Sequence, residues 1–457
     1  MRKNYFKWIA VALCVATSLS VSAYDFTVDD IYYTITGTST VSVSNSGSTN
    51  SYSGDVVIPS TVTDEDGNTY FVTAIDDNAF QSSTGLTSIT IPTGITSLGE
   101  WCFASCTKLT SVTLPNSVTT VGIRCFQACT SLTSLTLSES LTEIPNYFCG
   151  GCTALEAIEI PASVTSIGNY AFSYTSIGTS GKACNALTTL TFADDSQLES
   201  IGDFAFARAK VLTSVDLPNS VSTIGTYAFS YCYALESIEF PEGNSEFTEI
   251  PNYCCAACTL LTSVEIPETV TTIGQSAFAG TSATAHMNLE TVTIPSKVTS
   301  IGTRAFMYNT LITSIIIPKR VTSIGSQAFK GCTALTEVSS VSATPPILGA
   351  EEVFDEDTYS SATLYVPTGA LSDYQATTYE NDEGEEVGNY WYKFTTITED
   401  DNVGISNLVS DGRTVVGERF YNLAGQEVAS PSDSDKAIYI VVRSYDDGTT
   451  VATKEAR

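Results

Sequence analysis

The chain of 457 residues is poor in several residue types, and each shortage removes a class of function. It has a single histidine, His286, so Ser–His catalysis and histidine-based metal sites have only one residue to draw on. Basic residues are scarce: 20 Lys plus Arg stand against 50 Asp plus Glu, a formal net charge of −30. Such a surface repels nucleic acid and anionic lipid, and it favours basic partners or divalent cations. Long apolar runs are missing too. The greasiest segment, Trp8 to Leu19, is too short to span a bilayer.

That segment follows Arg2, Lys3 and Lys7 and precedes Val21, Ser22 and Ala23, the layout of a secretory signal peptide. Cleavage is expected after Ala23. Cys14 lies inside the apolar run, a poor place for a lipid anchor, and none is expected. Removing the three basic residues leaves 17 Lys plus Arg against 50 Asp plus Glu, a net of −33.

A repeat fills most of the chain. Between Phe80 and Phe329 an aromatic ring or a thiol follows an Ile, Leu or Val by five residues eleven times. The base period is 23: Pro92, Pro115, Ser138 and Pro161 are evenly spaced, and Pro218, Pro241, Pro267, Pro295 and Pro318 continue at 23 to 28. A fixed period in this range signals a solenoid. Within one unit Val112 and Leu114 alternate with Ser111 and Thr113, which gives a short strand with one face inward. Pro115 ends it. Val118 and Val121 point inward from a second extended piece, and Gly122 permits a corner. Phe126, Cys129 and Leu132, three residues apart, then predict a helical or 3₁₀ turn with one buried stripe. A rung buries about eight apolar groups, worth ~12–24 kcal/mol, against ~1–2 kcal/mol of backbone entropy for each of its residues. A single rung is therefore unstable; stacked rungs with capped ends are not.

Eleven of the thirteen cysteines follow the same period. Cys106, Cys129, Cys152, Cys232, Cys258 and Cys332 lie three residues after the anchor, Cys102, Cys125 and Cys254 lie one before it, and Cys149 and Cys255 occupy it. Packing as small buried hydrophobes explains them best. Disulfides between neighbouring rungs and zinc ligation are the weaker alternatives.

These residues carry a specific resemblance. Ile160, Pro161, Val164, Ile167, Gly168, Ala171 and Phe172, and again Ile317, Pro318, Val321, Ile324, Gly325, Ala328, Phe329, Cys332 and Leu335, resemble the bacterial surface leucine-rich repeats often called BspA-like. The resemblance implies a right-handed α/β repeat solenoid with one parallel strand per rung of about 23 residues. It also implies export and, as for several family members, adhesion or binding of host proteins. The flanks resemble the family's β-rich caps through Tyr32, Tyr33 and Asp66–Asn68 at one end and Pro345, Pro346, Trp391 and Phe394 at the other. After Asp401 the pattern resembles the small carboxy-terminal β modules of secreted Bacteroidetes proteins, which implies a sorting signal. The expected organisation is a signal peptide (1–23), an amino-terminal β cap (24–70), the solenoid (71–338), a carboxy-terminal cap (339–402) and a β module (403–457).

Four local features read as structure. Asp64–Asn68 is a hairpin turn that lacks the bidentate Glu of a calcium loop. Gly178–Ala183 has the wrong spacing for a phosphate loop. Asp382–Glu386 reads as a solvated loop. Two rungs carry Pro145 and Pro251 at the corner with Cys149 and Cys255 as anchors, which is expected to pinch the coil or to leave room for neighbouring aromatics.

The outward column of the strands runs Thr90, Thr113, Thr136, Glu159, Thr191, Asp216, Glu239, Glu265, Thr293, Ile316, and the flanking column adds Glu156, Glu236 and Glu290. Asp216, Glu239 and Glu265 occupy successive rungs at ~5 Å spacing, where like charges repel by ~0.8 kcal/mol in water and ~3 kcal/mol at an effective dielectric of 20. This acidic stripe on the exposed, concave sheet reads either as a solvated face that keeps an exported protein soluble or as the contact surface for a basic protein partner, with Ca²⁺ the alternative cation and no other cofactor, nucleic acid or membrane insertion expected. Two rival readings are weaker. A glycan-binding protein needs exposed aromatic platforms, which this column lacks. A hydrolase using Glu239 and Glu265 needs a water-excluding pocket, which a flat sheet does not supply. The expected function is therefore non-catalytic protein contact, adhesion at the bacterial surface.

Overall fold

The computed structural model describes residues 24–48, 51–174, 183–282, 284–380, 386–400 and 403, together with the backbone of four strands between 415 and 456. Residues 1–23, expected to be a signal peptide, and the expected loops at 178–182 and 382–385 lie outside the described residues.

Each rung contributes a longer strand, such as Ser111–Thr113, Ser134–Thr136 or Ser214–Asp216, and a two-residue strand, such as Ser97–Leu98, Thr120–Val121 or Ser166–Ile167. Longer strands pair with longer strands in parallel, Ser134 opposite Ser111 and Asp216 opposite Glu239. Short strands pair likewise, Ser200 opposite Ser166 and Ile224 opposite Ile201. The second extended piece thus forms its own parallel ladder, where one strand per rung was expected.

The third side corrects a second expectation. No helix forms between the corner and the next strand among the described rungs; the described helices, Glu351–Val353, Glu356–Ser361, Leu371–Gln375 and Trp391–Lys393, all belong to the carboxy-terminal part. The rungs instead run through β-turns with two left-handed residues four apart: Trp101 and Ser105 (φ 55° and 63°), Arg124 and Ala128 (62° and 59°), Tyr227 and Tyr231 (63° and 60°). This alternation sends every second N–H across to the next rung, as in Trp101 N to Ile123 O (3.0 Å), Phe103 N to Cys125 O (2.8 Å) and Ser105 N to Gln127 O (2.7 Å). The intervening N–H groups close local turns, Ala104 N to Trp101 O (2.9 Å) and Cys106 N to Phe103 O (3.2 Å). A left-handed non-glycine residue costs ~1–2 kcal/mol, and the cross-rung bonds offset it. Three-residue spacing in the sequence is shared by this turn path and by a helix, so periodicity alone did not separate them.

The corner glycine is needed for proximity. A Cβ on Gly122 would lie 2.3 Å from Glu100 N, and its own N–H reaches Leu98 O at 2.8 Å. Pro145 and Pro251 have no such donor, and the short-strand ladder breaks at those two rungs: Thr120–Val121 does not pair with Glu143–Ile144, nor Thr223–Ile224 with Glu249–Ile250. The space at the Cys149 anchor is filled by Phe148, set edge-on between Phe126 (5.4 Å) and Phe172 (6.4 Å).

Down the interior the anchors stack face to face, Phe80–Phe103 at 4.9 Å, Phe103–Phe126 at 5.3 Å, Phe206–Phe229 at 5.5 Å and Phe306–Phe329 at 5.5 Å. Aromatic pairs of this kind add ~0.5–1.5 kcal/mol beyond burial. Beside them the cysteines three residues after the anchor donate to the anchor carbonyl of the rung before: Cys106 Sγ to Phe80 O, Cys129 Sγ to Phe103 O and Cys152 Sγ to Phe126 O, each at 3.1 Å. Asn309 does the same with its amide, reaching Phe278 O at 2.9 Å. All twelve described cysteines are buried free thiols. Small size and a weak donor are what the position requires.

At the amino-terminal end the antiparallel strands Phe26–Val28, Ile31–Ile35 and Thr40–Val43 join Thr69–Ile75, which begins the short-strand ladder, while Ser53–Val57 begins the longer one. Asp64–Asn68 is the hairpin turn between Thr61–Thr63 and Thr69–Ile75, with Asn68 N donating to Asp64 Oδ1 at 2.8 Å. At the other end Thr363–Val366 and Thr396–Glu399 extend the longer-strand sheet, and Phe354 continues the phenylalanine column at 5.3 Å from Phe329. Trp391 is buried there and donates Nε1 to Pro346 O at 2.8 Å. Val415–Tyr421, Glu427–Val428, Ile438–Tyr445 and Thr450–Ala456 form a separate four-stranded antiparallel sheet.

Candidate functional site

The alternation of the longer strands fixes which side chains face outward. In Ser214–Asp216, Ser237–Glu239 and Ser263–Glu265 the middle apolar residue is buried and the residues on either side are exposed. Asp216 is therefore in register with Glu239, and the strand carrying Glu265 packs beside them and pairs onward with Thr291–Thr293. Three carboxylates line up along the coil axis at ~4.8 Å per rung.

What turns this row into a cleft is the chain that follows two of the strands. From the inward strand residue to the next inward residue the usual step is Val112 to Val118 or Val215 to Val221. It lengthens at Leu190 to Leu198 and at Ile238 to Phe247. The extra residues stand up as walls. The first wall is tied down by Ala193 N to Ile160 O (3.0 Å) and Gln197 N to Ala162 O (3.0 Å). The second is tied by Glu242 N to Asn219 Oδ1 (2.8 Å) and Asn244 Nδ2 to Val221 O (2.9 Å). Beside them opens a cleft of about 1270 Å³ that includes Asp194, Asp195, Asp216, Glu239 and Glu242 in its lining and continues past the second wall to Glu265 and Glu268. No Lys or Arg lines it. The ion pairs among the described residues, Lys330–Glu352, Lys393–Glu351 and Lys393–Glu356, all lie near the carboxy-terminal end.

Of the seven residues expected in the stripe, Asp216, Glu239 and Glu265 line the cleft. Glu159 is exposed beside Thr191, outside it. Glu156, Glu236 and Glu290 precede their strands and donate backbone N–H to Thr133, Thr213 and Thr262; threonines separate them along that column, so they form no continuous row. Asp194, Asp195, Glu242 and Glu268 were not expected. The lengthened steps Leu190–Leu198 and Ile238–Phe247 are the signal that would have located the two walls. No group of three or more His, Cys, Asp or Glu close enough to hold a metal ion occurs among the described residues. His286 sits among the extra residues that follow the Phe278 anchor, with Nδ1 3.3 Å from Met287 O.

A second surface feature also escaped the sequence reading. On the turn side, the first left-handed positions of seven successive rungs carry Trp101, Arg124, Tyr147, Tyr170, Phe204, Tyr227 and Tyr253. The Arg124 guanidinium lies 4.7 Å from the Trp101 ring and 4.4 Å from Tyr147, and the rings after it stack at 4.9, 4.7, 4.6 and 4.1 Å. Their faces cover one another and leave edges and hydroxyls to solvent. Burial and the neighbouring Tyr253 push the Tyr227 hydroxyl well above its usual range.

Parallel strands stacked at a fixed period around a buried ring column define a leucine-rich-repeat scaffold. The chain belongs to the BspA type leucine rich repeat family, whose six-copy model matches residues 69–179, 175–287 and 248–347. Solved structures with a similar course include a leucine rich cell surface protein of Faecalibacterium prausnitzii (23% identity, 82% of this chain and 94% of that one, TM-score 0.46). Others are a leucine-rich repeat protein of Bacteroides ovatus (22%, 82% and 100%, 0.44) and the pneumococcal vaccine antigen PcpA (20%, 77% and 95%, 0.43). No curated protein matches the chain. Among the described residues no helix is long and apolar enough to cross a membrane.

Proposed function

We propose that this chain is an exported, non-catalytic scaffold that makes protein–protein contacts at the bacterial surface, in adhesion, and that its acidic cleft receives a basic segment of the partner. The observation that carries this reading is the row Asp216, Glu239 and Glu265, bordered by two walls that add Asp194, Asp195 and Glu242, with Glu268 beside it and no cation in the lining. Charge of one sign in a recess concentrates the field and speeds encounter with an oppositely charged partner. Export rests on the residues up to Ala23, and surface sorting rests on the module after Asp401. A glycan ligand for this face has less support, because the outward column from Thr90 to Ile316 carries no ring.

The test is a binding screen of the chain from Tyr24 onward against host matrix proteins and glycans, at low and high salt and with or without Ca²⁺. Binding to a basic protein that weakens with salt is expected, without a Ca²⁺ requirement. Salt-insensitive binding to a neutral glycan would replace the proposal. A chain truncated before Val403 is expected to stay in the periplasm; surface display of that form would remove the sorting role.

A further inference from the structure

The same rungs depart from the repeat on their opposite edge, where the turns lead into the longer strands. Two residues after the anchor the repeat places small side chains, as at Ser105, Ala128, Gly151 and Ala257; four after, it places threonine, as at Thr107, Thr130, Thr153 and Thr259; five after, small or polar groups, as at Lys108, Ser131, Ala154 and Ala334. In four consecutive rungs these positions hold Tyr174, then Arg208, Lys210 and Val211, then Tyr231 and Tyr233, then Leu260. The large apolar ones face water: Tyr174 is 43% exposed, Val211 39%, Tyr233 40% and Leu260 46%. Apart from Tyr308 and the 42% exposed Leu311 on a single rung further along, the repeat keeps this edge small or polar; four consecutive rungs with large side chains have no packing reason for them, and clustered exposed apolar groups of this kind mark contact sites.

Register gives the patch a shape. Val211, Ala234 and Leu260 hold the same position in successive rungs, so a small alanine lies between two large side chains ~10 Å apart, at two rung steps. Tyr233 stands beside this notch, with Thr259 Oγ1 reaching its carbonyl at 3.3 Å. Tyr231 meets Tyr233 edge-on at 6.2 Å, and the Arg208 guanidinium lies 5.0 Å from the Tyr231 ring. Arg208 and Lys210 take part in none of the ion pairs among the described residues, although the chain carries a net charge of −30.

The geometry points to a second docking surface, for an acidic protein segment that inserts one large apolar side chain between Val211 and Leu260 while its carboxylates meet Arg208 and Lys210. Tyrosine and arginine around a small recess are the composition of binding hot spots, and the two cations select the sign of the partner. A second copy of this chain fits poorly, because two cations do not overcome the repulsion between two bodies of such negative charge. The inference does not depend on the acidic cleft, which opens on the other edge and selects the opposite charge.

Panning a peptide display library on the full chain tests it. The expected result is a class of peptides that combine Asp or Glu with a neighbouring Leu, Phe or Trp and that release at high salt. Tyr233→Thr with Leu260→Ser restores residues the repeat itself uses there, so the thermal midpoint should hold while affinity for these peptides falls ~10-fold or more. Arg208→Gln should weaken them without touching basic peptides. Enrichment of basic peptides alone, equal affinity for the Tyr233→Thr/Leu260→Ser chain, or self-association abolished by those substitutions would each overturn the inference. So would selective retention of an acidic polysaccharide in place of peptides.

Discussion

Replacing Gly225 with alanine tests the claim that rung spacing is set by backbone contact at the corner. The added Cβ would lie 2.4 Å from Asp203 N and from Gly202 C, and 2.7 Å from Gly202 O, with no flexible side chain among them to give way. Ordinary contact begins near 3.4 Å, so the rungs must separate by about 1 Å at that corner. Three bonds cross there: Gly225 N to Ile201 O (2.7 Å), Phe204 N to Thr226 O (3.0 Å) and Thr226 N to Asp203 Oδ1 (2.8 Å). At ~1 kcal/mol net for each, the substitution should destabilise by ~3 kcal/mol, before any loss in the stacked phenylalanines behind it. Gly243 provides the contrast. It has φ +70° and nothing within 4 Å of an added Cβ, so Gly243→Ala should cost only ~1 kcal/mol of left-handed strain. Urea denaturation of both variants, followed by far-ultraviolet circular dichroism, measures the difference. A Gly225→Ala chain within 1 kcal/mol of the parent would refute the close-contact account.

Two further predictions follow from buried titratable groups. Burial pushes the Cys149 thiol up to about 11 and those of Cys184 and Cys332 to about 12, so thiolate is scarce at pH 8. The folded chain should therefore resist iodoacetamide until urea unfolds it, and rapid labelling of the native protein would show the thiol columns to be open. Burial also raises Asp76 above the usual carboxylate range, with Asp77 adding to the shift. A raised carboxyl contributes stability below its unfolded pKa and loses it as pH rises through the folded value. Asp76→Asn should therefore be more stable than the parent at pH 7, and the gap should close as pH falls through the carboxylate range. A gap that is the same at pH 7 and in acid would contradict this.

Much of the fold was legible because a repeat states each position many times. Val112 and Leu114, the phenylalanine anchors and the cysteine columns are buried where their alternation places them, and the space left by Cys149 is taken by Phe148. The turn side was illegible for a definite reason. Apart from Gly151 and Gly331, its left-handed residues are side chains such as Trp101, Arg124 and Tyr227, so their conformation leaves little trace in residue type, whereas Phe126, Cys129 and Leu132 imitate a helical stripe. The pairing of the short strands was hidden for a related reason: two residues such as Thr120 and Val121 are too few to show a period. Asp216, Glu239 and Glu265 were legible as neighbours on one outward face because they sit on the strands. The walls were missed because Asp194, Asp195 and Glu242 lie in added residues, which a column-by-column reading passes over.

The account stands or falls on the cleft as a cation-selective surface. The direct measurement is the affinity of a fluorescent oligolysine peptide for the full chain and for the Asp216→Asn, Glu239→Gln, Glu265→Gln triple variant, at low and high salt. Three contacts of ~1 kcal/mol each in high dielectric imply a loss of ~100-fold at low salt, shrinking as salt screens the parent's advantage. Equal affinity of the folded parent and the triple variant at low salt would show that the acidic row is only a solvated face.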